Sequence, residues 1–385
     1  MLRHRALLKL LFCAGLCIFI AGTVLASLYI TFHYRKKGFR SPHSATQRSA
    51  ATAVCQSCRE EDAIRRRVLQ LEARGWERQE ESYQKLRSGL LRDCRGISEA
   101  VMTQENTPLG SKVIYDGEKQ RHIEIDQKIF STFPQESPIG NVTFASCAVI
   151  GNGGILLGSG CGEEIDRADF VVRCNLPPVE GRFYSDVGNK TDLVTANPSI
   201  LLERFAALSE RRRPFADCVS RYGIGTLLAL PAFSYGRNTP LSLRALYTLQ
   251  DFGTPAQPVF LNPQYLGSLA RFWRARGLRA LRLSTGLMVT SLALELCSSV
   301  RLYGFWPFDR GPDGSPLSHH YYDDQHSPTS IHAMPAEFYQ LLELHGQGVL
   351  RIQLRKCQRQ QGEERGGQPD TTWASLTQPG PGSVG

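Results

Sequence analysis

Four segments of the chain combine residue types and spacings suited to chemistry. The first is Cys147-Ala-Val-Ile-Gly-Asn-Gly-Gly-Ile-Leu156, an apolar strand running into a glycine cluster, with a helix expected next. Glycines at such a turn let backbone N–H groups approach a phosphate, and a helix N-terminus favours the anion. A tight strand–helix turn without a ligand needs the same residues. The dinucleotide fingerprint is incomplete, because it requires a glycine near Leu156, and Asp169 is poorly placed for a ribose. The second segment is Phe170-Val-Val-Arg-Cys-Asn-Leu-Pro-Pro178, where Arg173 and Asn175 end a buried strand. Strand ends line the ligand crevice of an open α/β sheet, so Asn175 can read a base or sugar; it can equally form an Asx turn before Pro177.

The third segment, Arg282-Leu-Ser-Thr-Gly-Leu-Met-Val-Thr290, runs on to Tyr303-Gly-Phe-Trp306. Ser284, Thr285 and Gly286 read as a helix start, offering N–H groups and hydroxyls to a carboxylate or phosphate, or simply capping a core helix. The fourth is Ser318-His-His-Tyr-Tyr-Asp-Asp324, followed by His332-Ala-Met-Pro-Ala-Glu337. Histidine suits acid–base work near neutral pH. Glu337 can orient His332 if the backbone turns back on itself. Zinc is the rival for a His/Asp cluster, but no zinc-signature spacing is present. Core or surface histidines are the bland alternative.

The elements that must position these residues begin at about Ser111. Strand-like runs stand at Cys147–Ile150, Phe170–Arg173, Leu193–Thr195, Leu227–Leu230, Val259–Leu261 and Val300–Tyr303, with helical stretches between several of them. That alternation predicts an α/β domain, a mostly parallel sheet with helices on both faces. Gly38 to Thr52 reads as a linker and Arg59 to Leu91 as a solvated stem helix or short coiled coil. Residues 358–385 are rich in Gln, Gly, Pro and Ser and are expected to be disordered.

Among 385 residues, 42% are hydrophobic, enough for a sizeable core, and the formal charge is +9, from 45 Lys+Arg against 36 Asp+Glu. The surplus fits an anionic partner: nucleic acid, a membrane surface or an acidic substrate. Leu10 to Phe32 is uncharged and mostly apolar, and as a helix it would be ~34 Å long, enough to span a bilayer. Basic residues flank both of its ends, so charge gives no clean orientation. A cleaved signal peptide, with Val24 and Ala26 at the cleavage site, is the rival, but the apolar run continues past that site. Either way the rest of the chain enters the secretory pathway. The sequons at Asn141 and Asn189 agree, as do scattered cysteines suited to structural disulfides. Cys55 and Cys58 read as stem cysteines, free or paired between chains.

Taken together, the four segments resemble the animal sialyltransferases, glycosyltransferase family 29, over roughly residues 105–357. Cys147 to about Ser199 resembles the large sialyl motif, and Arg282 to about Trp306 the small one. His320-Tyr-Tyr-Asp323 resembles the third motif, and His332 to Glu337 the very small one. Strings such as RCNLPP, DLVTANPSI, RLSTGL and YGFWPF look like the alpha-2,8 branch, nearest its mono- and oligosialyltransferases such as ganglioside GD3 synthase. The resemblance implies a modified Rossmann-like, GT-A-type sheet and a type II Golgi membrane protein with a lumenal catalytic domain. It divides the chain into a cytosolic tail (1–9), anchor (10–32), stem (33–104), catalytic domain (105–357) and tail (358–385), with a homodimer through the stem open.

It further implies CMP-sialic acid as donor, a sialylated glycolipid or glycoprotein as acceptor, no metal and no other cofactor. By resemblance, His332 is the catalytic base and His320 stabilises the departing phosphate. Asn152, Asn175, Ser284, Thr285, Gly286, Trp306 and His319 would lie at the donor, and the disulfides would be Cys147–Cys297 and Cys161–Cys357. Two features depart from close relatives: Cys94 stands alone where several carry a Cys-Cys pair, and Arg271, Arg274, Arg276, Arg279 and Arg282 crowd the approach to the small motif. Polysialyltransferases carry a basic stretch there, so a polysialyltransferase is one alternative. A lumenal nucleotide-dependent oxidoreductase and a non-catalytic sialoglycan-binding protein are the others.

Overall fold

The apolar runs become strands because each is sealed on both faces. In the computed structural model, which describes residues 61–140, 142–324 and 332–357, every residue of the strands Phe170–Arg173 and Leu227–Leu230 is buried. Parallel strands covered on both sides read as unbroken hydrophobic stretches rather than as alternation. The apolar run 10–32, Cys55, Cys58, Asn141 and the tail 358–385 lie outside the described residues. Among the described residues no helix is long and apolar enough to cross a membrane. The chain divides into two units at Arg66/Arg67; of the first, only residues 61–66, all helical, are described.

The second unit opens with helix α1 (Glu80–Asp93) and a hairpin of β1 (Lys112–Tyr115) with β2 (Glu118–Glu124). Strands β3 (Phe144–Ile150), β4 (Phe170–Arg173) and β5 (Leu193–Thr195) follow. Next come helix α2 (Arg212–Ser220), β6 (Leu227–Leu230), α3 (Asn238–Asp251), β7 (Gln257–Phe260), α4 (Pro263–Ala275) and α5 (Thr285–Leu296). Strand β8 (Cys297–Tyr303), helix α6 (Met334–Gly346) and β9 (Arg351–Gln353) complete it. Seven strands form one all-parallel sheet in the order β7-β6-β5-β4-β3-β8-β9. Ala148 and Ile150 of β3 pack with Ile165, Val187 and Tyr303 on one face. Alternation turns the fully buried Val149 to the other face, and α5 runs against β3 and β8.

Two disulfides fasten this frame. Cys147 in β3 bonds Cys297 at the start of β8, and Cys161 bonds Cys357 beyond β9, across 150 and 196 positions of sequence. Cys94, Cys174 and Cys218 are free.

The segment expected to be a solvated stem helix is instead packed. Helix α1 buries Tyr83, Leu86 and Leu90 and touches α4 and α5. The Arg87 guanidinium donates through Nε and Nη2 to the carbonyl of Glu295, at 3.1 and 2.9 Å, near the C-terminus of α5, where a cation is favoured. Trp76 donates its indole N–H to Leu350 O at 3.0 Å. The compact unit therefore begins well before residue 105. The intermittent helical spacing of Leu86 and Leu90 is the face that this packing buries.

Arg173 ends β4 with its side chain wholly buried. Its Nε donates to Lys190 O and Thr191 Oγ1, its Nη2 donates to Lys190 O, and Asp166 stands 3.7 Å away. It is a structural cation that holds the loop before β5.

Glu295 is fully buried at the end of α5 and accepts the N–H of Gly96 at 2.6 Å. A Cβ at position 96 would lie 2.6 Å from the second carboxylate oxygen, so only glycine fits there. Burial pushes the Glu295 carboxyl up to about 7. Between its ordinary value and that point the folded protein holds a proton that the unfolded chain releases, so stability falls as pH rises through the window. Glu295→Gln keeps an acceptor for Gly96 and removes the charge. It should raise the melting midpoint at pH 8, at about 2–4 °C per kcal/mol for a domain of this size, with the gain shrinking toward pH 5. A difference between variant and parent that does not change with pH would show that Glu295 does not titrate in this range.

Candidate active site

From β3 the sheet grows in one direction to β7; β8 then returns to the opposite side of β3. Ligands bind outside the carboxyl ends of strands at such a reversal, here between β3 and β8. The backbone there is close-packed. Gly151 N–H donates to Tyr303 O at 2.8 Å and Gly153 N–H to Gly304 O at 3.0 Å. A Cβ on either glycine would come within 2.7 Å of Gly304 O, and one on Gly154 would strike Ser318 O. The glycines thus let three backbone segments meet. The N–H groups of Gly151 and Gly153 face carbonyls rather than a phosphate, and a short 3-10 turn (Gly154–Leu156) stands where a helix was expected.

The segment beyond Ser318 lies across this junction. Tyr321 N–H donates to Asn152 O at 2.9 Å, and Gly153 bridges His320. Asn152 Nδ2 donates to Cys174 O at 2.9 Å, which fixes the amide orientation and leaves a buried Oδ1 without a partner. An unpartnered buried acceptor invites a donor from a ligand. Asn175 follows β4 in the left-handed region, φ 65°, which asparagine tolerates. Its N–H donates to Thr195 Oγ1 at 3.0 Å, and that hydroxyl approaches Asn175 Oδ1 at 3.3 Å. His320 Nδ1 lies 2.8 Å from Asp323 Oδ1, and its ring stacks on Tyr322, 5.1 Å between centroids and 10° from parallel. His319 is exposed, edge-on to His320 at 4.5 Å.

The second half of the site is the start of α5. Ser284 caps the helix, its Oγ accepting Leu287 N–H at 3.2 Å. Ser284 N–H donates to both carboxylate oxygens of Glu337, at 2.9 and 3.2 Å. Thr285 Oγ1 exchanges hydrogen bonds with the Asn197 amide, at 3.2 and 3.3 Å, which ties α5 to the end of β5. Gly286 lets Phe305 approach: a Cβ there would lie 3.0 Å from its ring. His332 sits beside this helix end, with Nδ1 3.1 Å from Arg282 O. A carbonyl only accepts, so Nδ1 carries the proton and Nε2 keeps the lone pair.

His332 and Glu337 lie close enough to interact electrostatically, while their hydrogen bonds go to the backbone around the start of α5. The Arg282 carbonyl sets the His332 tautomer, while Glu337, 2% exposed, serves the backbone of Ser284. Burial raises the Glu337 carboxyl, and its bonds to Ser284 and the neighbouring His332 partly offset the rise. Trp306 is buried too: its indole N–H donates to Arg310 O at 2.8 Å and its ring packs edge-on against Phe308 and Phe338. It joins the loop after β8 to α6 from behind. Asn197 was not singled out from the sequence; its place directly after a strand end was the available signal. Asn189 is exposed, as a sequon asparagine must be to carry a glycan. Among the described residues, no group of three or more His, Cys, Asp or Glu side chains is placed to hold a metal ion.

Glu337→Ala would leave the buried N–H of Ser284 unpaired and should cost about 1–3 kcal/mol, read as a lowered urea midpoint. Glu337→Gln keeps one acceptor and should retain most of that stability. Equal loss in both variants would show that the charge, not the hydrogen bond, supports the helix start.

The family model for glycosyltransferase family 29 (sialyltransferase) matches residues 101–349. The chain is 45% identical over 298 residues to alpha-2,8-sialyltransferase 8F of Mus musculus, covering 77% of this chain and 75% of that protein. It is 40% identical over 363 residues to alpha-2,8-sialyltransferase 8E of Rattus norvegicus, covering 93% and 96%. To the alpha-N-acetylneuraminide alpha-2,8-sialyltransferase of Xenopus laevis it is 47% identical over 295 residues, covering 76% and 81%. With a family model spanning the whole junction and relatives aligned over most of their length, the chain belongs to glycosyltransferase family 29, the sialyltransferases.

Proposed function

We propose that this protein is an alpha-2,8-sialyltransferase that moves sialic acid from CMP-sialic acid to the 8-hydroxyl of a terminal sialic acid on a glycolipid or glycoprotein. The observation that carries the reading is His332, whose Nδ1 faces the Arg282 carbonyl at 3.1 Å and whose Nε2 is left as a base beside the start of α5. The names of the aligned relatives support the linkage. The +9 formal charge suits a reaction in which donor and acceptor are both anionic.

In one displacement the acceptor oxygen attacks the anomeric carbon of the donor sialic acid. The bond from that carbon to the phosphate oxygen breaks, and its electron pair leaves with CMP. His332 Nε2 takes the hydroxyl proton. Attack opposite the leaving group inverts the beta-linked donor to an alpha-linked product. His320 acts on the other side. Its Nδ1 is engaged by Asp323, so a doubly protonated ring presents Nε2–H to the phosphate as charge develops there. Asn152, Asn175 and His319 flank the nucleotide end. Ser284, Thr285 and Gly286 offer helix-start donors to the sialic acid carboxylate, and Trp306 backs the nucleotide pocket. No metal ion is required, since helix ends and His320 can offset the single phosphate charge.

The chain is further read as a type II Golgi membrane protein anchored by residues 10–32, with the catalytic unit in the lumen, glycans on Asn141 and Asn189, and a stem able to pair two copies. N-terminal sequencing of the mature protein should return the uncleaved terminus; a terminus near Ser27 would overturn the anchor.

His332→Ala should lower kcat by about 10²-fold or more with CMP binding nearly intact. His320→Ala should weaken CMP affinity and turnover together. Near-normal transfer by secreted, folded His332→Ala would remove it from the mechanism. Transfer should persist in EDTA; loss in EDTA with recovery on adding Mn²⁺ would overturn the metal-free reading.

A further inference from the structure

Arg282 contributes its carbonyl to the base, and its guanidinium is the cation attached to that same residue. Its surroundings differ from those of a structural arginine. Arg173 shows what such a residue looks like in this fold: fully buried, with Nε and Nη2 both donating to the Lys190 carbonyl and Nη1 enclosed away from water without a partner. Arg282 keeps 26% of its side chain exposed. Its Nη2 donates to Ser234 Oγ at 2.6 Å, and its ion pair with Asp116 is loose, at 3.6 Å. The guanidinium lies over the Tyr235 ring, 5.0 Å from the centroid. Among the described residues no hydrogen bond engages Nε or Nη1. Ser234 and Tyr235 follow the carboxyl end of β6, and Asp116 sits in the β1–β2 turn. The guanidinium is thus held from two sides beyond the carboxyl end of β6, with Nε and Nη1 unengaged.

The acceptor places a matching demand on this region. Under the alpha-2,8 reading, on which this inference rests, the reacting 8-hydroxyl belongs to a sugar that also carries a carboxylate. When that hydroxyl meets His332 Nε2, the carboxylate is delivered close by. A carboxylate leaving water without a partner is strongly disfavoured, and guanidinium offers a planar fork matched to its two oxygens. We propose that Arg282 is the receptor for the carboxylate of the acceptor's terminal sialic acid, with Ser234, Tyr235 and Asp116 holding its guanidinium in place. Arg282 then selects sialylated over neutral termini. One residue registers the acceptor in two ways, its side chain gripping the sugar and its carbonyl aiming the base. The β1–β2 hairpin, which lies outside the main sheet, acquires a role as a wall of the acceptor site.

The test pairs a protein change with a substrate change. The full-length enzyme is assayed on a glycan ending in alpha-linked sialic acid, and on the same glycan with its terminal carboxylate converted to the primary amide. The wild type should prefer the acid by about 10–100-fold in kcat/KM, as expected for one charge-assisted contact. In Arg282→Gln that preference should collapse toward unity, chiefly through a raised acceptor KM, while the KM for CMP-sialic acid changes little. Arg282→Lys should restore part of the preference. A merely structural arginine predicts otherwise: rates on both acceptors would fall together and the wild-type preference would survive. A surviving preference in Arg282→Gln, or a wild type that takes acid and amide equally, overturns the proposal. Should Arg282→Gln not fold, the intermediate preference of Arg282→Lys decides, and an unchanged one overturns it. Failure of the wild type to use either acceptor would instead strike the alpha-2,8 reading itself, and this inference with it.

Discussion

The chemistry depends on a backbone contact between two parallel strands far apart in sequence. β3 and β8 leave the sheet side by side, and Gly151 and Gly153 donate to the carbonyls of Tyr303 and Gly304 directly after β8. Because neither glycine has a Cβ, the two strand ends come close enough for a third segment, Ser318 to Tyr321, to lie across them. That arrangement sets His320 over the ends of β3 and β4, while Phe305, one residue on, rests against Gly286 at the start of α5. Widening the junction by one methyl group would separate the two histidines' supports. The Cys147–Cys297 bond joins the same two strands from within the sheet and Cys161–Cys357 anchors the chain after β9, so the junction is crosslinked on both sides of its sequence gap.

A second constraint is the cost of burying polar groups. The start of α5 carries Ser284, whose N–H would be orphaned if Glu337 did not accept it. Glu337 is itself buried and tolerates that position because two bonds to one N–H and the adjacent His332 offset part of its desolvation. At the other end of the same helix Glu295 accepts Gly96, and Arg87 donates to the last carbonyls. Helix α5 is thus fixed at both termini by buried or half-buried polar groups, one set from α6 and one from α1. Contacts at both ends keep the helix from sliding along its neighbours.

How much of this was legible in the sequence follows from burial. The parallel strands were readable because water is excluded from both their faces, so β6 is a pure apolar run and β4 is one up to its final Arg173; β7 begins two residues before the run that betrayed it, at a half-exposed edge. The β1–β2 hairpin was not readable, since β2 is mostly exposed and all its residues except Ile123 are charged or polar. The three-residue β9 offers a single buried side chain, Ile352. The site motifs were legible as residue types, but not the partners that orient them. That Arg282 lends a carbonyl to His332 is a backbone fact no side chain records, and the hydrogen bonds of Glu337 go to a peptide N–H rather than to the histidine five positions before it. Trp306 was singled out only through the family resemblance, and the partner of its N–H, the Arg310 carbonyl, could not be read from the sequence.

Under the proposed mechanism, the different roles of the two histidines follow from what each Nδ1 faces. For His332 the partner is a neutral carbonyl, which fixes one tautomer and leaves Nε2 able to receive a proton. For His320 the partner is the Asp323 carboxylate, so the ring can donate from Nε2 only while it carries both protons. Two identical side chains thus become a base and an electrostatic support through one second partner each. Asp323 comes from three residues along the chain, but Arg282 lies 50 positions before His332, just ahead of α5, so the surroundings of His332 exist only once the fold brings these two segments together.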